Sequence, residues 1–231
     1  MCDKIKSLFF FLFMVIWATI VFGLSLVLAL SLQRRIVALS GHILAKGVLL
    51  FQRVFYGIKV KVSGLEHIPK GPFILAAKHQ SVWETGYFFA LFPNALYILK
   101  KQITYIPIFG WLLLLMKMIC IDRKASVSSI RQIIKGVEKA YEDNRVVIIF
   151  PEGTRALPGE RLPLKSGIVA IHQALPHIPI IAATHDSGKV WPKGTMNLKS
   201  GTVHVKFLPI KPGTRDELLK NIENAINSNP N

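Results

Sequence analysis

An uncharged apolar run near the N-terminus limits the fold of this chain more than any other feature. The run extends from Leu8 to Leu32 and reads LFFFLFMVIWATIVFGLSLVLALSL. A helix needs about 20 apolar residues to cross the hydrocarbon core of a bilayer, so this run is long enough to span it. A secretory signal peptide has a shorter apolar region, about 7–15 residues, followed by a small-residue cleavage site, and neither feature fits here. We therefore expect a retained membrane segment.

The charges around this run suggest an orientation but leave the membrane topology open. Basic residues flank the run on both sides, at Lys4, Lys6, Arg34, Arg35 and Lys46. The C-terminal side is attached to a basic body, so the positive-inside rule favours the inner membrane with that body in the cytoplasm. The run either crosses the membrane once or pairs with the amphipathic stretch 36–57 as an interfacial helix pair. The sequence does not separate these two arrangements.

The overall charge points to an anionic partner. The formal net charge is +16 and the isoelectric point is about 10.0, values that attract both nucleic acid and anionic lipid headgroups. The membrane segment favours lipid, and neither zinc-finger spacing nor an RNA-binding aromatic signature is present, so we expect no nucleic-acid partner. The only cysteines, Cys2 and Cys120, form no disulfide framework or metal-binding pattern, which is consistent with a reducing cytoplasm.

After residue 58 the pattern changes to alternating strand-like and helix-like segments. The strand-like segments are 58–64, 73–77, 95–99, 145–150, 178–184 and 202–208. Within residues 126–143 the apolar residues recur at helical spacing, so a helix is expected there. A second helix is expected to end near Pro93. This alternation predicts an α/β fold with a mixed, largely buried sheet flanked by helices. We expect a membrane-anchoring segment over 1–57, a single domain over 58–226 and a frayed tail over 227–231.

The stretch AAKHQSVWET, residues 76–85, holds the first pair of candidate catalytic groups. On one continuous helix, His79 and Glu84 would lie about 140° apart and would not share a face. They meet only if His79 leaves a strand and Glu84 lies in the first turn of the next helix, and the local pattern favours that arrangement. A carboxylate beside one imidazole nitrogen fixes the tautomer and leaves the other nitrogen to take a proton. The alternative is a structural histidine near a helix start, and the spacing alone does not exclude it.

The second candidate element is FPEGTR, residues 150–155, which begins where the apolar strand 145–150 ends. Ligands of α/β sheets bind at the carboxyl ends of the strands. Gly153 allows the backbone to approach a ligand closely, and Arg155 offers a planar fork of donors that suits phosphate. Glu152 is expected either to accept hydrogen bonds from hydroxyl groups or to orient Arg155. The alternative is a surface turn with a Glu–Arg pair.

The third candidate element is the segment 97–111, followed by CIDR at 120–123. Lys100 and Lys101 end a predicted strand, where their ammonium groups are placed to meet an anionic substrate. Arg123 is expected either to bind phosphate or to pair locally. Pro107 and Gly110 interrupt an apolar, aromatic segment, for which ordinary core packing is the alternative to a ligand groove.

Taken together, these motifs resemble the glycerolipid acyltransferases, and in particular the 1-acyl-sn-glycerol-3-phosphate acyltransferase family. The resemblance rests on H-x-x-x-x-E at 79–84, the block KKQ…IPIFGW…CIDR, FPEGTR at 150–155, and an IPI segment around Pro179, in that order. It covers roughly residues 60–210, and an N-terminal membrane helix is also usual in the family. One departure is that the first motif of the family usually ends in Asp, whereas Glu84 stands here. Another is Gln102, which replaces an acidic residue often found after the paired lysines.

The resemblance implies transfer of a fatty acyl group from a thioester to the sn-2 hydroxyl of lysophosphatidic acid. His79 is then the general base and Glu84 its orienting carboxylate, without an acyl-enzyme. Arg155, Lys101, Lys100 and Arg123 are expected to bind the substrate phosphate, and Glu152, Gly153 and Thr154 to position the substrate. The resemblance implies no metal or cofactor. The donors for the oxyanion are not assigned, and backbone amides after His79 are one candidate.

The partners implied are membrane lipids, the lysophosphatidic acid acceptor, and either acyl-CoA or acyl carrier protein as the donor. Two other functions remain open. The first is a related acyltransferase with another acceptor, such as glycerol-3-phosphate or a lyso-aminolipid. The second is a non-catalytic basic membrane-binding protein. An arrangement with His79 and Arg155 on opposite sides of the domain would exclude an acyltransferase function.

Overall fold

A computed structural model of the chain describes residues 2–29, 34–107, 109–122 and 126–231. Within these residues, two N-terminal helices precede a unit in which strands and helices alternate. The helices are α1 (Cys2–Ala29), α2 (Arg34–Tyr56), α3 (Trp83–Leu91), α4 (Phe109–Leu115), α5 (Ser126–Glu142), α6 (Gly167–Ala174) and α7 (Arg215–Ile226). The strands are β1 (Lys59–Ser63), β2 (Ile74–Ala77), β3 (Leu96–Lys100), β4 (Ile119–Ile121), β5 (Val147–Ile149), β6 (Ile180–His185) and β7 (Thr202–Pro209).

In the described part of the chain, the strands form one mixed sheet of seven, in the order β1-β7-β6-β2-β5-β3-β4. The five strands from β6 to β4 in this order run parallel to one another. β7 is antiparallel to β6 and parallel to β1. The predicted mixed α/β sheet is therefore confirmed.

The central strands carry apolar residues on both faces because helices cover both faces. Every residue of β2, β5 and β6 is buried. One group consists of α5, α6 and α7: α5 packs against α6, and α7 packs against α6 and β6. In the other group, α2 packs against α3 and α4. A sheet covered in this way produces continuous apolar sequence runs instead of alternation. This burial explains why 73–77, 145–150 and 178–184 read as buried strands from sequence.

The parallel strand order places the candidate motifs at one edge of the sheet. The loop with His79 follows β2, and the loop with Arg155 follows β5, which pairs directly with β2. Lys100 ends β3, the neighbour of β5 on its other side. Because parallel strands end at the same edge, three motifs that are far apart in sequence become neighbours in space.

The two N-terminal helices form a packed pair with a large apolar surface. Segments Ile5–Ser25 and Val37–Tyr56 are long and apolar enough to cross a membrane, by length and composition only. The rings of Phe13 and Phe51 stack with their centroids 3.9 Å apart, and the indole N–H of Trp17 donates to the carbonyl of Leu44 at 3.2 Å. Most apolar side chains of α1 remain exposed, a surface that suits contact with lipid. The chain associates with membranes, and the choice between a spanning segment and an interfacial helix pair stays a prediction.

Several elements were not predicted from the sequence. They are the short elements β4, α4 and α6, and α7, whose buried residues Leu218, Ile222 and Ile226 recur at helical spacing. The segment predicted as a frayed tail contains two residues that bond to the sheet. Asn227 Oδ1 accepts a hydrogen bond from Lys78 Nζ at 2.5 Å, and the carbonyl of Ser228 accepts one from Thr184 Oγ1 at 2.9 Å. The boundary at residue 58 stays a prediction.

Candidate active site

His79 and Glu84 form a close pair because the chain turns between them. His79 lies in the loop after β2, and Glu84 lies in the first turn of α3. His79 Nδ1 and Glu84 Oε1 are 2.8 Å apart. This is the strand–turn–helix geometry that the spacing required. An ionised carboxylate only accepts hydrogen bonds, so Nδ1 carries the proton and Nε2 has a free lone pair.

The Glu84 carboxylate is fully buried and accepts hydrogen bonds on both oxygens. Besides His79, the N–H groups of Gln80 and Ser81 donate to Oε1 at 2.8 Å. Ser81 N–H also reaches Oε2 at 2.9 Å, and Ser187 Oγ donates to Oε2 at 2.7 Å. Burial raises the pKa of Glu84. The hydrogen bond from His79 and the charges of the nearby imidazoles lower this pKa by more than burial raises it, so the net shift is downward. Glu84 is therefore an ionised carboxylate with its lone pairs occupied.

The same contacts correct one expectation about the oxyanion. The backbone amides directly after His79 were candidate donors to a developing negative charge. The N–H groups of Gln80 and Ser81 instead donate to Glu84, so they are not free to face a substrate. The amide of Trp83 is also engaged, because it donates to Ser81 Oγ at 3.1 Å.

The imidazole of His79 is fixed on its face as well as at its edge. The ring stacks on Phe150 with centroids 4.0 Å apart and an interplanar angle of 15°. Phe150 in turn stacks on Tyr97. The His79 side chain is 17% exposed and lines a large cavity. Among the described residues, no protein group hydrogen-bonds Nε2, so this nitrogen is available to a ligand.

A second buried carboxylate holds the backbone of the loop that carries His79. Glu152 Oε2 accepts the N–H of His79 at 2.6 Å, and Oε1 lies 3.4 Å from Lys78 Nζ. Burial raises the pKa of Glu152, partly offset by these two partners. Lys78 also donates to the carbonyl of Glu160 at 3.0 Å and to Asn227. Glu152, Lys78 and Asn227 thus hold the main chain at His79 in place.

A third group of contacts ties the loop to the end of β6. His185 Nε2 donates to the carbonyl of Lys78 at 2.7 Å, and Nδ1 accepts the N–H of Ser187 at 3.4 Å. Burial lowers the pKa of His185, and the charge of Glu84 offsets only part of that effect. His185 is therefore neutral. Ser187, two residues further along the chain, donates a hydrogen bond to the Glu84 carboxylate.

The cavity beside His79 has a volume of about 730 Å³ and a mostly apolar wall. Helices α2, α3 and α4 supply most of the apolar wall, and Ile103 and Phe109 come from the segment 97–111 that was considered as a groove. The charged or titratable side chains among the described residues of the wall are His79, Tyr97, Lys100, Arg155 and Lys193. The cavity therefore combines one imidazole, a few cations and space for an aliphatic chain.

The expected phosphate and positioning residues divide into three groups. Arg155 and Lys100 line the cavity with His79, and so do Gly153 and Thr154. Lys101 is exposed on the short turn Lys101–Tyr105 and is not part of the cavity wall. Glu152 also lies outside the wall, because its carboxylate faces Lys78 and the His79 main chain. Arg123 lies outside the described residues.

The loop after β5 is shaped by one glycine and one backbone contact. Gly153 has a φ of 71°, in the left-handed region that favours glycine, and its N–H donates to the carbonyl of Phe150 at 3.0 Å. The N–H of Ala156 donates to the carbonyl of His79 at 2.7 Å, which fixes this loop against the loop that follows β2. Lys193 Nζ donates to the carbonyl of Arg155 at 2.8 Å.

Sequence reasoning missed Lys78, His185, Ser187 and Lys193. The first three act through contacts between β2, β6 and the loop after β5, and residue spacing does not show which strands are neighbours. Lys78 had one signal, its position directly before His79. Among the described residues, no group of three or more His, Cys, Asp or Glu side chains is arranged to hold a metal ion.

Comparison with known proteins agrees with this geometry. The profile of the Acyltransferase family matches residues 59–186, which include His79, Glu84, Lys100 and Arg155. The 1-acyl-sn-glycerol-3-phosphate acyltransferase of Pseudomonas aeruginosa is 32% identical over 213 residues, or 90% of this chain and 80% of that protein. The enzyme of the same name from Limnanthes douglasii is 33% identical over 202 residues, or 84% of this chain and 69% of that protein.

A solved structure shares the fold. The crystal structure of the 1-acyl-sn-glycerophosphate acyltransferase from Thermotoga maritima superposes with a TM-score of 0.77. The match covers 97% of this chain and 95% of that one at 22% sequence identity, which establishes similarity of fold. The family profile covers more than half of the chain, and the P. aeruginosa relative is similar over most of its length. This chain therefore belongs to the acyltransferase family.

Proposed function

We propose that this protein transfers a fatty acyl group from a thioester to the sn-2 hydroxyl of 1-acyl-sn-glycerol-3-phosphate, which yields phosphatidic acid. The named activity of the relatives supports this reaction. The observation that carries it is that His79, paired with a buried carboxylate, lines the same apolar cavity as Arg155 and Lys100. A lipid with one phosphate and one aliphatic chain matches such a cavity.

His79 is the general base of this reaction. An alcohol is a weak nucleophile at neutral pH, and removal of its proton during attack accelerates the reaction. His79 Nε2 takes the proton of the sn-2 hydroxyl, and the buried Glu84 carboxylate stabilises the imidazolium that forms. The stacked Phe150 ring keeps the imidazole plane fixed while the proton moves.

The acyl group passes directly from donor to acceptor. The sn-2 oxygen forms a bond to the thioester carbonyl carbon, and a tetrahedral oxyanion results. The carbon–sulfur bond then breaks, and the leaving thiolate takes the proton from His79, giving a free thiol and phosphatidic acid. The sequence offers no serine or cysteine with a convincing nucleophile context, so the proposal includes no acyl-enzyme.

Arg155 is the main phosphate-binding group, with Lys100 as the second cation. A guanidinium presents several donors in one plane and suits a phosphate at the cavity mouth. Gly153 and Thr154 position the substrate from the same loop. Lys101 and Arg123 remain proposed phosphate-binding residues. Glu152 is a positioning residue, because it acts through the main chain of His79.

The donor is acyl-CoA or acyl carrier protein, and both present the acyl group as a thioester. We propose that the apolar helix pair inserts into the inner membrane and that the basic domain faces the cytoplasm. The net charge of +16 favours a surface rich in anionic lipid. The acceptor then enters the cavity from the bilayer, where its acyl chain already lies.

A panel of substrates tests this proposal with purified full-length protein in detergent micelles. The acceptors are 1-acyl-sn-glycerol-3-phosphate, glycerol-3-phosphate and a lyso-aminolipid, each with acyl-CoA and with acyl carrier protein. We expect phosphatidic acid only from the first acceptor. A higher rate with glycerol-3-phosphate or the lyso-aminolipid would assign another acyltransferase activity. No transfer to any acceptor from either donor would favour a non-catalytic membrane-binding protein.

A further inference from the structure

One polar side chain in the wall of the cavity lacks a protein partner. Gln52 of α2 is 1% exposed, and no described group lies within hydrogen-bond distance of its Oε1 or Nε2. It belongs to the cavity wall together with His79 and Arg155. A buried amide without a hydrogen bond destabilises the folded chain. Such a side chain is expected where a ligand supplies the missing partner.

The position of Gln52 along α2 indicates which end of the cavity it serves. The cavity face of α2 runs from Val37 to Gln52, so Gln52 is at the C-terminal end of this face. Its neighbour Phe51 packs on Phe10, which packs edge-on against Trp191 with centroids 5.4 Å apart. The chain continues from Trp191 to a cation that also lines the cavity.

That cation, Lys193, connects this end of α2 to the phosphate-binding loop. Lys193 donates to the carbonyl of Arg155, so the contacts made by the C-terminal end of α2 lead to the Arg155 end of the cavity. The opposite end is formed by Phe22 and Phe109, whose rings lie 5.8 Å apart. A ligand group that meets Gln52 is therefore close to the phosphate of the acceptor and not to the end of its acyl chain.

The acceptor has one polar group that must leave water at this position. In 1-acyl-sn-glycerol-3-phosphate, the sn-1 ester carbonyl is separated from the phosphate only by the glycerol carbons. The carbonyl is a hydrogen-bond acceptor, and it requires a donor once the lipid enters an apolar cavity. The terminal torsion of a glutamine is broad, so the amide turns toward the ligand without movement of the helix.

We propose that Gln52 Nε2 donates a hydrogen bond to the sn-1 ester carbonyl of the acceptor, which makes Gln52 a residue that selects ester-linked lysolipids. This inference rests on the proposed function. It predicts that the protein discriminates against 1-O-alkyl-sn-glycerol-3-phosphate. That ether-linked analogue keeps the phosphate, the sn-2 hydroxyl and the chain length, and it lacks only the carbonyl.

The test compares kcat/KM for the ester and ether acceptors of equal chain length, with purified full-length protein. Wild type should prefer the ester by about tenfold, the value of one good hydrogen bond to a neutral group. Gln52→Met keeps the length of the side chain and removes its donor, so it should reduce the ratio to about 1 by loss of activity on the ester. Leu49→Met, one turn earlier on the same cavity face, controls for a change of shape and should keep the wild-type ratio.

The outcomes separate the inference from the proposed function. Equal use of both acceptors by wild type, or an unchanged ratio in Gln52→Met, overturns the role of Gln52 and leaves the acyltransferase activity intact. An equal loss of activity on both acceptors in Gln52→Met also overturns it, because a hydrogen bond to the sn-1 carbonyl acts on the ester acceptor alone. If wild type acylates neither the ester-linked nor the ether-linked acceptor, the proposed function fails and the inference fails with it.

A second measurement guards against a purely structural role. In protein without substrate, Gln52→Met replaces a buried amide that has no protein partner with an apolar side chain of similar size. Its Tm should therefore be about 2–4 °C above that of wild type. A fall in Tm shows that the amide stabilises the fold, and it contradicts a residue kept for its ligand.

Discussion

Replacement of Glu84 by glutamine separates the charge of the catalytic pair from its shape. The carboxylate accepts bonds from His79, Gln80, Ser81 and Ser187. In Glu84→Gln, one oxygen can keep the contacts to His79 and Gln80, and the new amide group then faces the hydroxyl of Ser187. Ser187 Oγ can accept from that amide, so we expect the variant to fold.

The rate of Glu84→Gln should fall far more than its stability. The imidazolium that forms on His79 in the transition state loses the buried negative charge 2.8 Å from Nδ1. General-base catalysis contributes about 10²–10⁴-fold, so kcat should fall within that range. This range corresponds to about 3–5 kcal/mol of transition-state stabilisation.

Glu84→Asp supplies the matched comparison, because it keeps the charge and withdraws it by one methylene, about 1.5 Å. The contact of 2.8 Å then exceeds hydrogen-bond length unless the backbone moves, so we expect an activity between wild type and Glu84→Gln. The assay is phosphatidic acid formation at saturating acceptor, with Tm measured on the same samples. A folded Glu84→Gln variant within about threefold of the wild-type kcat would refute the charge argument.

Four further perturbations test other parts of the structure. Arg155→Ala should raise KM for lysophosphatidic acid about tenfold with little change in kcat. Lys101→Ala, outside the cavity wall, should change KM less, and a larger KM effect for Lys101→Ala than for Arg155→Ala would contradict the phosphate assignment. Asn227→Ala removes a hydrogen-bond partner of Lys78, which holds the loop with His79 in place, so kcat should fall several-fold at constant KM. Asn227→Asp should restore kcat, and a change in KM alone would contradict this role of Asn227. Gly47→Leu places a side chain where a Cβ would lie 2.4 Å from Trp17, so thermal unfolding should show a less stable protein that Trp17→Ala partly rescues, and equal stability would refute the close helix contact. His185 resists protonation because burial lowers its pKa, so Tm should fall as pH drops below about 6.5, and His185→Gln should flatten that fall; an unchanged slope would remove His185 as its source.

The sheet was predictable because its central strands are buried on both faces. RVVIIF at 145–150 and IPIIAAT at 178–184 are apolar throughout, a pattern that only a covered strand produces. β4 and α4 were not predicted, since three and seven residues carry too little periodicity to distinguish strand from helix. Their conformation depends on packing against β3 and α2, and the local sequence does not contain that information.

The contact between His79 and Glu84 was predictable because the two residues are close in sequence. A strand before His79 and a helix after it leave one way for Glu84 to reach the imidazole. The contacts of Lys78 and Ser187 were not predictable, because they depend on which strands lie beside β2. The same limit applied to the loop amides, whose hydrogen bonds to Glu84 exclude them as oxyanion donors.

The most direct test of the central claim is the rate of phosphatidic acid formation by purified His79→Ala. The imidazole is the only group of the pair that lines the cavity, so its removal should lower kcat by about 10²–10⁴-fold while the protein stays folded and bound to membranes. A folded His79→Ala variant that retains wild-type turnover would contradict the general-base role.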